Sequence, residues 1–343
     1  MKKKITALIL AFAIIIINIS PGLAISTLLS TEVIPVNEAL QDSEIVSFIE
    51  KHDETGLLDK IYSDIEQFTY SSATEYLRVA LNDASIDVDT VQTVTETLNL
   101  DLPTFNNNHV FYVSRDATGA VVDLWYLYYT FSQSAFEIHL TGVMAGNTLD
   151  SIQGTLTKYR LNGNNWVEFG TRNVNITNAS NGTIFTWLVS SQYVKEKIEY
   201  KLTVLDNGGV HYFNNIGEDS HIRYNFVAGP YNAITPMGGD RHHFIPAASS
   251  RANGYDSGTA YAIRMVRLDH HKTGSYGSSS YVSECTSLLA NKEYLALMQH
   301  EVNDLKSIAD PDGRYTNLQT KYYYEIVECA LAYDKLFGSN LFS

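Results

Sequence analysis

Over residues 108–227 the chain is a succession of short aromatic and β-branched runs separated by turn residues, and this stretch restricts the fold more than any other. Asp123-Leu124-Trp125-Tyr126-Leu127-Tyr128-Tyr129, Phe136-Glu137-Ile138-His139-Leu140 and Ile198-Glu199-Tyr200-Lys201-Leu202-Thr203-Val204 have the length and composition of strands. Leu161-Asn162-Gly163-Asn164 and Leu205-Asp206-Asn207-Gly208-Gly209 read as turns between them. Strands this short and this closely spaced pair with their neighbours, so an antiparallel β-sandwich or barrel is expected over 108–230. The 23 tyrosines and 14 phenylalanines fall mostly in the middle and end of the chain, which supports the same conclusion.

The flanks have different periodicities. In the segment 25–107, Ile45, Phe48 and Ile49, then Leu57, Leu58 and Ile61, recur at helical spacing, as in a helical linker or pro-region. Ahead of it, Lys2-Lys3-Lys4 precedes an apolar run and then Ser20-Pro21-Gly22-Leu23-Ala24, the pattern of a bacterial Sec-type signal peptide over 1–24 cleaved after Ala24. Export to the cell surface or medium is therefore expected, with no stable membrane span once the signal is removed. Cys285 and Cys329 both fall in segments that read as helices, and a disulfide or two buried thiols suit them equally.

Beyond the sandwich, Leu288, Leu289, Leu295, Met298, Val302 and Leu305 mark one amphipathic helix over 281–308, and a last helix is expected from Leu318. The fold class is thus multidomain α+β: a helical segment, an antiparallel β-sandwich, and a C-terminal unit at 237–343 with trailing helices.

That unit holds the chemistry. Gly238-Gly239-Asp240-Arg241-His242-His243-Phe244-Ile245-Pro246 is followed by Ala262-Ile263-Arg264-Met265 and then Asp269-His270-His271-Lys272-Thr273-Gly274-Ser275. Four of the 10 histidines lie in these pieces, and imidazole is both the commonest metal ligand and a base near neutral pH. Adjacent residues on a strand face opposite ways, so one histidine of a pair can meet a metal while its neighbour meets attacking water. The formal net charge of −14 argues against nucleic-acid binding by the chain as a whole, whereas the histidine-rich stretch is mildly basic. Arg264 and Arg267 suit either a solvated strand edge or further phosphate contacts.

These pieces, in this order and spacing, resemble the HNH, endonuclease VII-type (ββα-metal) nuclease domains of bacterial polymorphic toxins. The resemblance covers the C-terminal third only. It implies an exported endonuclease that hydrolyses phosphodiesters of DNA or RNA, and a toxin with an immunity protein as partner. It also implies a divalent metal, zinc or magnesium, held by His242 and His270 with Asp269 ligating or orienting. His243 would be the general base and Arg241 would lie near the phosphate. The alternative places function in the sandwich, as a cell-surface or glycan-binding module whose exposed tyrosine and tryptophan stack on sugars, with a structural metal in the C-terminal unit.

Overall fold

The computed structural model describes residues 30–53, 56–64, 68–103, 110–132, 134–143, 148–189, 193–206, 209–214 and 222–342; the expected signal segment at 1–24 lies outside them. Among the described residues, no helix is long and apolar enough to cross a membrane. The protein is of mixed α+β class, and its sheets are antiparallel.

The N-terminal elements are β1 (Ser30–Pro35), α1 (Val36–Ala39), α2 (Ser43–His52), α3 (Leu57–Asp64), α4 (Tyr70–Leu81) and α5 (Val88–Thr97). Asp42 caps α2 by accepting from the Glu44 and Ile45 amides, and its carboxylate also pairs with Arg115 at 2.7 Å. Ile45 and Ile49 of α2, with Leu57 and Ile61 of α3, pack on the sandwich residues Phe111, Leu124 and Tyr126. Each such fully buried side chain is worth about 1.5–3 kcal/mol. In contrast, α4 and α5 bury Ala73, Leu77, Val91 and Val94 in the core of the C-terminal unit. The helical segment at 25–107 therefore divides between two cores. Periodicity tells which face of a helix is buried but not what covers it.

Next come β2 (Val110–Arg115), β3 (Val121–Phe131), β4 (Ala135–Gly142), β5 (Leu149–Asn162), β6 (Asn165–Ala179), β7 (Gly182–Leu188), β8 (Lys195–Asp206), β9 (Gly209–Asn214) and β10 (Ile222–Tyr224). One sheet has the order β1-β2-β3-β4-β7 and the other β10-β8-β5-β6, with β9 also on β8. Trp125, Leu127, Phe136 and Ile138 of the first sheet share a core with Ile152, Leu156 and Tyr200 of the second. Leu124 and Tyr126, on the opposite face of β3, lie under α2 and α3, so this strand is buried on both sides. The hairpin from β5 to β6 turns at Gly163, whose φ of +64° suits a two-residue loop with glycine at its first position.

The C-terminal unit consists of β11 (Ala228–Pro230), β12 (Asp240–His243), α6 (Ala247–Ala252), β13 (Tyr261–Met265), α7 (Arg267–His270), α8 (Ser279–Ala290), α9 (Tyr294–Ser307), α10 (Leu318–Lys321) and α11 (Tyr323–Phe337). Its sheet has the order β11-β13-β12, and His242 lies opposite Ile263. Gly239 allows this approach, because a Cβ there would stand 2.2 Å from the Met265 carbonyl oxygen. Instead of the single helix expected over 281–308, the chain forms α8 and α9, separated at Lys292, which adopts a left-handed φ of +61°. Cys285 and Cys329 are both buried free thiols in this core.

Candidate active site

Strand β12 sorts its four side chains by alternation, and the sorting defines the site. His242 points inward and is fully buried. Its Nε2 lies 2.7 Å from Glu301 Oε1 and its Nδ1 lies 3.3 Å from Ser275 Oγ. The other oxygen of Glu301 accepts from the Tyr281 hydroxyl at 2.5 Å. Both the imidazole and the carboxylate are thus engaged in a buried chain that runs from α8 through α9 to the loop after α7.

His243 and Arg241 face the other way, into a cleft of about 540 Å³. The cleft is also lined by Arg251, His270, Ser275 and Tyr276, and no carboxylate lines it. In a chain of net charge −14 this is a local reversal of sign. The His243 ring stacks on Tyr231 with centroids 4.0 Å apart, and the Arg241 guanidinium carbon lies 3.9 Å from the same ring's centroid. Arg241 also donates to the Tyr231 carbonyl at 3.2 Å, which fixes its fork beside the histidine.

The protonation of His243 follows from its partners. Its Nε2 lies 2.9 Å from the Ser257 carbonyl oxygen, which can only accept, so Nε2 carries the proton and Nδ1 keeps its lone pair. Burial pushes its pKa below the ordinary histidine value, the Ser257 hydrogen bond opposes this, and the neighbouring charges of His242, Arg251 and Arg241 add to it. His270 is pushed down to about 4, by burial first and then by His242, against a hydrogen bond to Asp240. Both shifts favour the neutral form of the rings that line the cleft. Neutral imidazoles with a free nitrogen accept protons.

The expected metal ligands are only partly brought together. The rings of His242 and His270 meet edge to face with centroids 5.3 Å apart. Asp269 does not join them. Its carboxylate accepts from the Tyr322 hydroxyl at 2.7 Å and pairs with the buried Lys321 ammonium at 2.9 Å. Lys321 also meets Asp310 and Asp312, each at 2.7 Å, and so fills the place a cation would take among these carboxylates. Among the described residues, no group of three or more His, Cys, Asp or Glu side chains is placed to hold a metal ion. Of the set His242, His270 and Asp269, the two imidazoles are adjacent, whereas the Asp269 carboxylate is turned away to Lys321. The carboxylate beside His270 is instead Asp240, whose Oδ2 lies 3.2 Å from His270 Nδ1 and 3.3 Å from His271 Nε2, and which also pairs with Arg267 at 3.1 Å.

Arg264 lies away from the cleft. It is buried and donates to the Asn225 carbonyl at 2.8 Å and the Thr235 carbonyl at 3.0 Å. On the sandwich, the aromatic rings suited to sugar stacking already carry cations: Lys197 lies over both Trp166 and Tyr159, and Arg160 over Phe169.

Several site residues were missed from sequence. Glu301 carried a signal: it falls on the apolar stripe of α9 beside Met298, Val302 and Leu305, and a carboxylate on a buried face requires a donor. Ser257 and Tyr231 carried none, because they reach the cleft from a loop and a 3₁₀ turn without periodicity, and Arg251 stood out only as one of the basic residues of this stretch. Comparison of the chain with family models, curated proteins and solved structures finds no match.

Proposed function

We propose that this protein hydrolyses phosphodiester bonds of nucleic acid in the cleft between β12, α6 and the loop after α7, with His243 as general base. The observation that carries the reading is the placement of His243: its Nε2 lies 2.9 Å from the Ser257 carbonyl oxygen, and its ring lines a cleft shared with Arg241 and Arg251. The resemblance of the segment 238–275 to ββα-metal nucleases supports the same assignment, with His242 and His270 adjacent and Asp269 turned away to Lys321.

The chemistry follows from these groups. Arg241 and Arg251 hold the phosphate oxygens and offset the charge that builds on them as the nucleophile approaches. Nδ1 of His243 takes a proton from water as its oxygen bonds to phosphorus. The bond to the leaving oxygen breaks, and that oxygen takes a proton from solvent. A positioned base of this kind contributes about 10²–10⁴-fold to the rate. Export and a toxin role with an immunity partner belong to the same proposal.

The test uses the full chain, since α4 and α5 supply part of the C-terminal core. Labelled single- and double-stranded DNA and RNA are incubated with the protein, with chelator or with added magnesium, manganese or zinc. Cleavage of at least one substrate is expected. Absence of cleavage in every arm, with the protein folded, removes the reading. Cleavage that appears only with added metal, and is lost on His270→Ala and on Asp240→Asn, would place a cation at that pair.

A further inference from the structure

We infer that Ser275 is a nucleophile of this cleft, its hydroxyl proton directed onto His242 by Glu301. The three groups form a chain from the interior to the cleft surface. Glu301 and His242 are both buried, and Ser275 is half-buried where it lines the cleft. A carboxylate oxygen accepts, and Glu301 accepts from Tyr281 on one oxygen while its other oxygen lies 2.7 Å from His242 Nε2. The imidazole proton is therefore fixed on Nε2, and Nδ1 presents a lone pair 3.3 Å from Ser275 Oγ.

The direction of the serine proton follows. Ser275 Oγ has a second neighbour, Thr273 Oγ1 at 3.1 Å, but the Thr273 hydroxyl donates to the His270 carbonyl at 2.8 Å. The Ser275 proton thus has two acceptors on its buried side, a hydroxyl oxygen and an imidazole nitrogen, and only the nitrogen is basic enough to remove it. With its proton turned inward, Ser275 presents oxygen lone pairs to the cleft lined by Arg241 and Arg251. An acceptor is a poor ligand for phosphate oxygens but a suitable attacker of phosphorus. Carboxylate, imidazole and hydroxyl in series are the arrangement that activates a serine. The loop is held in register by Asp304, which accepts from the Gly274 amide at 2.7 Å.

The electrophile class, phosphoryl, rests on the function proposed above, whereas the activation of Ser275 does not. The single displacement by water described above then becomes two displacements: Ser275 Oγ first bonds to phosphorus as its proton passes to His242 Nδ1, beside the Glu301 carboxylate. The bond to the leaving oxygen breaks, and that oxygen takes a proton from water. Water activated at His243 then displaces Ser275 from phosphorus, and the proton on His242 returns to Oγ.

The test is labelling of the full chain with diisopropyl fluorophosphate, in which the Oγ–P bond forms, the P–F bond breaks and fluoride leaves. Peptide mass spectrometry is expected to find the adduct on Ser275 in folded protein, and no such adduct in Ser275→Ala or in chain unfolded with urea. Glu301→Gln, which keeps a hydrogen-bonding partner for His242, is expected to slow labelling at least about tenfold while its melting temperature reports that it is folded. If Glu301→Gln fails to fold, the contrast between folded and unfolded wild type decides. No adduct on Ser275 in folded wild type, or an equal rate in folded Glu301→Gln, overturns the inference. Protection of Ser275 by an oligonucleotide ties the nucleophile to the proposed substrate. Labelling that an oligonucleotide leaves unchanged retains the activated serine and removes the phosphodiester reading instead.

Discussion

Asp269 and His270 are consecutive residues of one short helix, and they serve two polar centres of opposite kind. Asp269 turns inward to Lys321, where one ammonium is enclosed by Asp269, Asp310 and Asp312 and sealed from solvent. His270 turns outward to a cleft of positive character open to a ligand. In the first, charge is matched within the fold: burial works against the ammonium, yet the three carboxylates outweigh it and raise the Lys321 pKa. In the second, charge is unmatched and awaits an anion. The contrast separates a polar cluster that holds the fold together from one that can act on something else.

Several substitutions test that division, beginning with the largest effect. Lys321→Met leaves the buried carboxylates of Asp269 and Asp310 without their cation, while Asp312 keeps Lys195, and is expected to cost about 3–5 kcal/mol, read from denaturant unfolding. The kinetics of the molecules that remain folded should not change. A variant of normal stability that has lost activity would merge the two centres.

A second contrast lies along α11, where Glu325 and Glu328 are buried with no cation paired to either carboxylate among the described residues. Burial pushes Glu325 up to about 7 and Glu328 up to about 8. Below the unfolded value of 4.5 both states are protonated and nothing is lost. As pH rises from there toward 8 the unfolded chain ionises first, so stability should fall by up to about 1.4 kcal/mol per pH unit for each group. Glu328→Gln should flatten that decline; an unchanged slope would mean that the carboxyl is not held neutral. Asp312 runs the other way. Burial works against its charge, but Lys321 and Lys195 outweigh it and hold the carboxyl well below its usual range. Its contribution is therefore present above the unfolded value near 3.8 and lost as pH falls below it. The same stability profile, measured down through pH 4, should bend at both ends.

The smallest expected effect is on the acid side of activity. Because His243 is held below the ordinary histidine value of 6.5, kcat/KM should persist to lower pH than an unperturbed histidine would allow. An acid limb at or above 6.5 would remove the neutral-base assignment.

The sequence made some of this plain and concealed the rest for physical reasons. Short strands with turn residues announced antiparallel sheets, and the His242-His243 pair announced a strand with one histidine on each face, because both signals are local. What His242 meets on its inner face was not legible: it is Glu301, 59 residues later, and no spacing rule reaches that far. Asp269 looked like a partner of His270 because the two are adjacent. On a helix, adjacent side chains diverge, and the ammonium that claims Asp269 comes from α10. The basic character of this stretch was visible in the sequence, whereas the meeting of Arg241 and Arg251 in one cleft was not, because folding brings them together.

The most direct test of the account is the multiple-turnover rate at which His243→Ala cleaves a labelled oligonucleotide that the wild-type chain cleaves, with binding affinity measured alongside. The account predicts a loss of about 10²–10⁴-fold in rate with affinity little changed, since Arg241 and Arg251 remain. An undiminished rate in the folded variant would contradict it.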